Sequence, residues 1–482
     1  MKKLLALALA LVLALGVCGM TAAAEDKETI TLRLFPYDPQ KPDDALVSEE
    51  LSKLTMEKVG VKVELVKQGQ GEFAQKIPLL IASDEPMDLV FDAGWLDYSN
   101  RSRSGAYLDI TDKLADYPEL YNVINPALWE GSKIDGRNYC VPTQKEVPQC
   151  SAFYVDTNFL KENNIDPASI KKYEDIEVVL EALKGTDRYG LMTSVNNHMP
   201  TLYKLYYVDT ISTCKAVSMF FDKPGTIVNW FDTDEYMAYC KLMNDWYQKG
   251  YIIEDVATAE NPYVTKDEDG KYNGKYGVGC VSYSPLNEVG ASKGVEGGRT
   301  PMIVTPIVNT TENCAGSVWA ILAKTRYPEK CMELLQAWNT DPDIKNMMAY
   351  GIEGRHYELV DGKVNQFDGW TDNYFTQNWT TENMFISYLM VGEPDDKWDQ
   401  YIAFNESATD SPMLGFNPDS SEINDKIAAV NGAIAEYNPL LEVGVLDAEE
   451  YVPMLRDSLK SVGIDDVIAW YQAQYDAWKA AK

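Results

Sequence analysis

Between residues 30 and 91 the chain switches back and forth between two hydrophobic periods, and the order of those switches restricts the fold more than any other feature. Ile30, Leu32 and Leu34 alternate with Thr31 and Arg33, a period of two that predicts a strand. From Asp43 to Val59 the apolar Val47, Leu51 and Leu54 stand among charged neighbours at helical spacing. Val61, Val63 and Leu65 return to period two. Glu72 to Ala82 reads as a helix with Pro78 inside it, and Met87 to Phe91 as a short apolar strand. Strand, helix, strand, helix and strand in this order predict right-handed crossovers and a parallel sheet, hence an α/β protein. In such sheets ligands bind beyond the carboxyl ends of the strands. Those ends are Phe35-Pro36-Tyr37-Asp38-Pro39 and Asp92-Ala93-Gly94-Trp95, both aromatic and acidic on turn-prone backbone.

Further along, Gly136 to Pro142 reads as a turn, a short strand and a stop. More βα-like material runs from Ser151 to about Cys280. Ala315 to Leu322 is an apolar strand or the start of a helix. Pro328 opens a helix with Met332, Leu335 and Trp338 on one face, and Thr340-Asp341-Pro342-Asp343 caps a second holding Ile344, Met347 and Met348. Near the end, Ile464, Val467, Ile468, Tyr471, Tyr475 and Trp478 fall at helical spacing and read as a packing stripe.

Composition narrows the function. The 482 residues allow about three domains. With 74 acidic against 43 basic side chains the net charge is −31, which argues against nucleic-acid or anionic-membrane partners, since both need clustered Lys and Arg. Two histidines, His198 and His356, leave little for His-based metal sites or relays. The 30 Tyr, 11 Trp and 13 Phe supply many flat amphipathic rings.

The N-terminus reads as an export signal over residues 1–24: Lys2-Lys3, an apolar run from Leu4 to Val17, then Ala22-Ala23-Ala24. Leu15-Gly16-Val17-Cys18 is similar to a bacterial lipoprotein signal, with Val17 where a small residue is expected. Cleavage after Ala24 and lipidation of Cys18 are both open, and both predict export. The other seven cysteines form no CxxC pair, so no metal site is expected. Some could pair after export, Cys140 with Cys150 being close in sequence; the alternative is that they are buried as small apolar residues. Asp267-Glu268-Asp269-Gly270 lacks the later oxygen ligands of a calcium loop and reads as a solvated turn.

Three stretches carry a resemblance to a known family. They are Pro86 to Trp95 with Gly105 to Asp112; Asp135 to Glu146; and Ala315 to Ala320 with Tyr327 to Lys330 and Tyr350 to Tyr357. Their order and spacing resemble the extracellular solute-binding proteins of ABC importers, in particular the carbohydrate-type lipoproteins of Gram-positive bacteria. Tyr437 to Gly444 is similar to that group's C-terminal region. The resemblance implies a two-lobe α/β fold with a ligand cleft between lobes and more than one hinge crossing. It implies a first lobe of residues 28–142 and 315–350, and a second of 143–314 and 351–482. It also implies that a monomeric protein delivers its ligand to permease subunits, without cofactor, metal or catalysis.

Sugars present hydroxyl rims and apolar C–H faces, so a sugar site needs aromatic platforms and hydrogen-bonding side chains. The candidates for those roles are Tyr37, Asp38, Asp92 and Trp95 at the strand ends, and Gln144 and Glu146 at the expected hinge. Trp319 near the second crossing, Glu353, Arg355, and Trp230, Trp370, Trp379 and Trp398 complete the set. The expected cargo is a carbohydrate, and among carbohydrates an oligosaccharide. The alternatives are a peptide or other small solute, or an exported glycoside hydrolase, for which no motif singles out a carboxylate pair.

Overall fold

The computed structural model of this protein describes residues 29–195, 201–258, 276–286 and 297–482. The leader with Cys18, His198 and the acidic stretch at 267–269 lie outside the described residues.

The first lobe is built on a five-stranded sheet of β1 (Thr31–Phe35), β2 (Lys62–Leu65), β3 (Leu89–Asp92), β4 (Val141–Pro142) and β5 (Val318–Ile321), in the order β2-β1-β3-β5-β4. β1 runs parallel to β2 and β3, as the alternating periods predict. The connecting helices are α1 (Asp44–Lys58) and α2 (Gln70–Ala82). α1 buries Val47, Leu51 and Thr55, four residues apart, and so presents one face to the sheet. Ser52 and Thr55 on that helix donate to the carbonyls of Val63 and Val61 and lock its pitch to β2. β5 returns from far along the sequence and lies antiparallel between β3 and β4. All four of its residues are buried, which is why this stretch is continuously apolar rather than alternating.

The second lobe has a four-stranded sheet in the order Arg299–Ile303, Ser151–Asp156, Tyr276–Ser282, Tyr189–Leu191. Its core is closed by the helix Asp234–Gln248 and by three C-terminal helices, Asn424–Glu442, Ala448–Ser461 and Ile464–Ala481. Of the predicted stripe on the last helix, Ile464, Val467, Tyr471 and Tyr475 are buried. Gly444 turns the chain between the first two of these helices at φ 79°, with its Cα so close to Met243 that a Cβ would stand 2.1 Å from that carbonyl oxygen. Only glycine fits there.

Three chain segments run side by side between the lobes. Gln149 and Val308 exchange backbone hydrogen bonds of 2.7 and 3.0 Å, and Val308–Asn309 pairs in parallel with Thr409–Asp410. Asn309 adds a side-chain bond to Asp410 at 2.8 Å. The sequence places the first crossing near Val141-Pro142-Thr143 and the second near residue 315, whereas the paired segments lie at Gln149 and Val308–Asn309. The third, at 409–411, is too short to leave a hydrophobic period.

Residues 351–388, expected with the second lobe, pack instead on the first. Tyr374 is buried in the first lobe's core, and Arg355 and His356 both bond Asp43 at the start of α1. Beneath this segment lies a buried polar network. Lys345 is fully buried and donates to Thr381 Oγ1 at 2.5 Å, to the Thr381 carbonyl and to the Asn378 carbonyl. Glu382, also fully buried and held at φ 56°, accepts from Asn339 Nδ2 at 2.9 Å. Burial pushes its carboxyl from 4.5 up to about 8. The folded protein therefore keeps a proton that the unfolded chain has lost. That contribution to stability is complete below about pH 4.5 and disappears as pH rises through about 8. Glu382→Gln, which holds the neutral shape at every pH, is expected to flatten the fall in melting temperature between pH 5 and pH 8. Equal falls in variant and parent would show that this carboxyl does not titrate as described.

All seven described cysteines are free and buried, so no Cys140–Cys150 disulfide forms. The two residues belong to opposite sides of the first crossing. Cys140 packs in the first lobe's core, whereas the Cys150 carbonyl accepts from Tyr283 of the second lobe.

Candidate functional site

β1 and β3 end side by side, and the turns that follow bring Tyr37 and Trp95 together at 5.3 Å between ring centroids, edge to face. Trp379 approaches the same Tyr37 ring at 6.3 Å, from the segment laid across this lobe. Phe91 backs the group, 5.6 Å from Tyr37 and 5.9 Å from Trp379. Trp95 is 46% exposed, so a large apolar ring stands open to solvent at a strand end. Its orientation is fixed, because Nε1 donates to the Gly316 carbonyl at 2.9 Å.

Gln377, which the sequence reasoning did not single out, ties this patch together. Its backbone N–H donates to Asp38 Oδ1 at 2.9 Å and its Nε2 to the Tyr37 carbonyl at 3.1 Å. Its Oε1 accepts from Trp379 Nε1 at 3.1 Å. Asp38 is fully buried with Oδ2 unpartnered, and burial pushes its carboxyl up to about 6. Ser317 Oγ bridges Thr143 Oγ1 at 2.9 Å and the Trp379 carbonyl at 3.0 Å, connecting the patch to the first crossing.

Across Gly94 and Ala315 from Trp95 opens a pocket between the lobes. Asp97, Ser99, Asn100 and Arg103 line it from the first lobe, and Asp209 to Thr213 with Asn417, Pro418, Ser420 and Asn424 from the second. Asn417 bridges the lobes at one flank, donating to Ser99 Oγ at 2.6 Å and accepting from Arg103 through its carbonyl. Hydroxyls, amides and carboxylates thus converge on one space, whose lining takes in Gly94, the chain neighbour of Trp95. None of the pocket's second-lobe residues is aromatic or part of a motif except Phe416, so composition offers no signal for them.

The other candidates fall elsewhere. Asp92 is fully buried and takes two bonds from Arg101, at 2.8 and 2.9 Å, and one from Tyr107 at 2.5 Å, so its oxygens face the lobe interior. Trp319 is fully buried, with Nε1 donating to the Thr380 carbonyl at 2.7 Å. Trp230 is buried in the second lobe's core against Tyr236. Arg355 forms a two-pronged pair with Asp43 at 2.6 and 2.8 Å, and Glu353 lies exposed in the adjacent turn. Gln144 is buried, its Oε1 accepting from the Asn125 N–H at 2.8 Å, while Glu146 pairs with Lys145 at 3.6 Å. Trp370 packs on Phe375, and Trp398 donates to the Ser387 carbonyl at 2.9 Å. Among the described residues no group of His, Cys, Asp and Glu could hold a metal ion, and no helix is long and apolar enough to cross a membrane.

Two α/β lobes, three crossings and a pocket lined from both sides define a two-lobe binding protein. The chain belongs to the bacterial extracellular solute-binding protein family, whose pattern matches residues 51–354. A domain of unknown function matches residues 412–480, the C-terminal helices of the second lobe. A carbohydrate ABC transporter substrate-binding protein of Streptococcus pneumoniae is 26% identical, over 97% of this chain and 96% of that protein. The fold is also that of an N-glycan transport solute binding protein from Streptococcus pneumoniae, with TM-score 0.83 and 22% identity over 94% of this chain and 100% of that one. In complex with Man5GlcNAc, that protein's structure matches with TM-score 0.67 and 23% identity, over 94% of this chain and 99% of that one.

Proposed function

We propose that this protein is exported, captures an oligosaccharide between its lobes and hands it unchanged to the permease subunits of an ABC importer. What supports this reading is a pocket of hydroxyl, amide and carboxylate groups supplied by both lobes, together with a half-exposed, hydrogen-bond-fixed indole, Trp95, next in the chain to the pocket residue Gly94. Aromatic faces stack on sugar C–H surfaces, and ionised acceptors make strong bonds to sugar hydroxyls. The carbohydrate-named relative supports the same ligand class. The ligand-contacting set under this proposal is Trp95, Tyr37 and Trp379 as platform, with Asp97, Asp209 and Glu312 among the acceptors. Asp38, Gln144 and Glu146 hold the platform and crossing in place. The first lobe takes residues 29–148 and 310–388, and the second takes the described residues of 150–307 and the chain beyond the third crossing. The protein acts as a monomer and carries out no catalysis. Cys18 or the bond after Ala24 is where its leader ends.

Trp95→Ala separates this reading from a structural role for the ring. The indole is half exposed and touches little of the core, so thermal stability should change by less than about 1 kcal/mol. Oligosaccharide affinity, read by calorimetric titration, should fall by about tenfold, equivalent to ~1.4 kcal/mol. Unchanged affinity would count against the platform. Binding of peptides in place of glycans would retain the family and replace the ligand class.

A further inference from the structure

The pocket between the lobes carries more fixed negative charge than positive. Asp97, Asp209 and Glu312 line it, against a single cation among the described lining residues, Arg103. That guanidinium is already engaged, with Asp135 at 3.1 Å and with the Asn417 carbonyl. Lys204, which acts electrostatically on both Asp209 and Glu312, donates to the Lys215 carbonyl at 2.8 Å. Asp209 is held from two sides, by the Ser411 hydroxyl at 2.5 Å and the Thr210 N–H at 2.8 Å. Both bonds favour its charged form, against the burial that pushes its carboxyl up to about 6. Glu312 lines the same pocket with an exposed side chain, and desolvation of its carboxyl there pushes it up as well.

For a neutral sugar these carboxylates are good partners, because each accepts hydroxyl donors in a charge-assisted bond. For a sugar acid the same groups are like charges, offset only by Arg103, which is already paired, and by Lys204, whose ammonium burial pushes down to about 7. The chain's net charge of −31 adds repulsion before contact. We propose that the cleft admits uncharged oligosaccharides and rejects those bearing a carboxylate, the sialic-acid and uronic-acid classes. This rests on the carbohydrate reading of the same cleft and specifies which carbohydrates it takes.

The test is a calorimetric titration of the mature protein with a panel of neutral oligosaccharides, each paired with its sialylated or uronate-bearing counterpart. The acidic member of a pair that binds is expected to be weaker by about tenfold or more. That gap should narrow in 0.5 M salt, where the screening length falls below the ~8 Å of physiological buffer. It should narrow too in Asp209→Asn/Glu312→Gln, and in Glu312→Gln alone, which leaves the Asp209 bonds intact. Equal or tighter binding of the acidic members overturns the charge selection and leaves the carbohydrate reading standing. Absence of binding by every member overturns both.

Discussion

Asp92→Ala is expected to destabilise the protein by about 3–5 kcal/mol, the cost of removing one partner from a buried ion pair. Asp92 is fully buried and is the acceptor for four donors: two from Arg101, the Tyr107 hydroxyl and the Ala93 N–H. Arg101 is itself buried. Without the carboxylate its charge has no counter-ion, and the Tyr107 hydroxyl loses its acceptor. Each loss adds a desolvation penalty that the folded state alone bears. Chemical denaturation followed by tryptophan fluorescence measures the effect, and a loss below about 1 kcal/mol would contradict this account of the strand end. The paired replacement Asp92→Leu/Arg101→Met should recover part of the loss, since it removes both charges together.

Trp319→Ala is the second large effect, at about 3–5 kcal/mol for deleting a fully buried indole. The ring lies 4.9 Å from Trp338 and 6.2 Å from Phe91, and its Nε1 bonds the Thr380 carbonyl. Thr380 adjoins Trp379, so the cavity also loosens one edge of the aromatic patch. Stability and affinity should fall together in Trp319→Ala, whereas in Trp95→Ala affinity falls alone. Melting curves with and without ligand distinguish the two. A stable Trp319→Ala protein that has lost binding would mean that this indole meets the ligand directly.

That contrast shows where the sequence stops being informative. In the sequence Trp95 follows one apolar strand and Trp319 lies within another. What separates them is that β5 enters from 226 positions beyond β3's last residue and slots antiparallel between β3 and β4, burying both its faces. Local periodicity located β1, β2 and the helices between the strands, because each has one buried face, while β3, buried at all four residues, showed as a short apolar run. The same reasoning could not show that Arg355 would pair with Asp43 across 312 positions, or that 351–388 would cover the first lobe. The site was half legible. Its aromatic side sits at predicted strand ends, whereas its polar side consists of loop hydroxyls and carboxylates that look like any solvated surface.

The central claim is that this protein holds an oligosaccharide without altering it. The most direct measurement is thermal melting of residues 25–482 against a panel of plant, host and microbial oligosaccharides, with the bound glycan recovered and chromatographed. A ligand at 100 times its dissociation constant should add roughly 2.7 kcal/mol of stability. A dose-dependent rise with one glycan class, recovered at its original length, is the predicted result. A shortened glycan, or a rise produced by peptides and by no glycan, would contradict it.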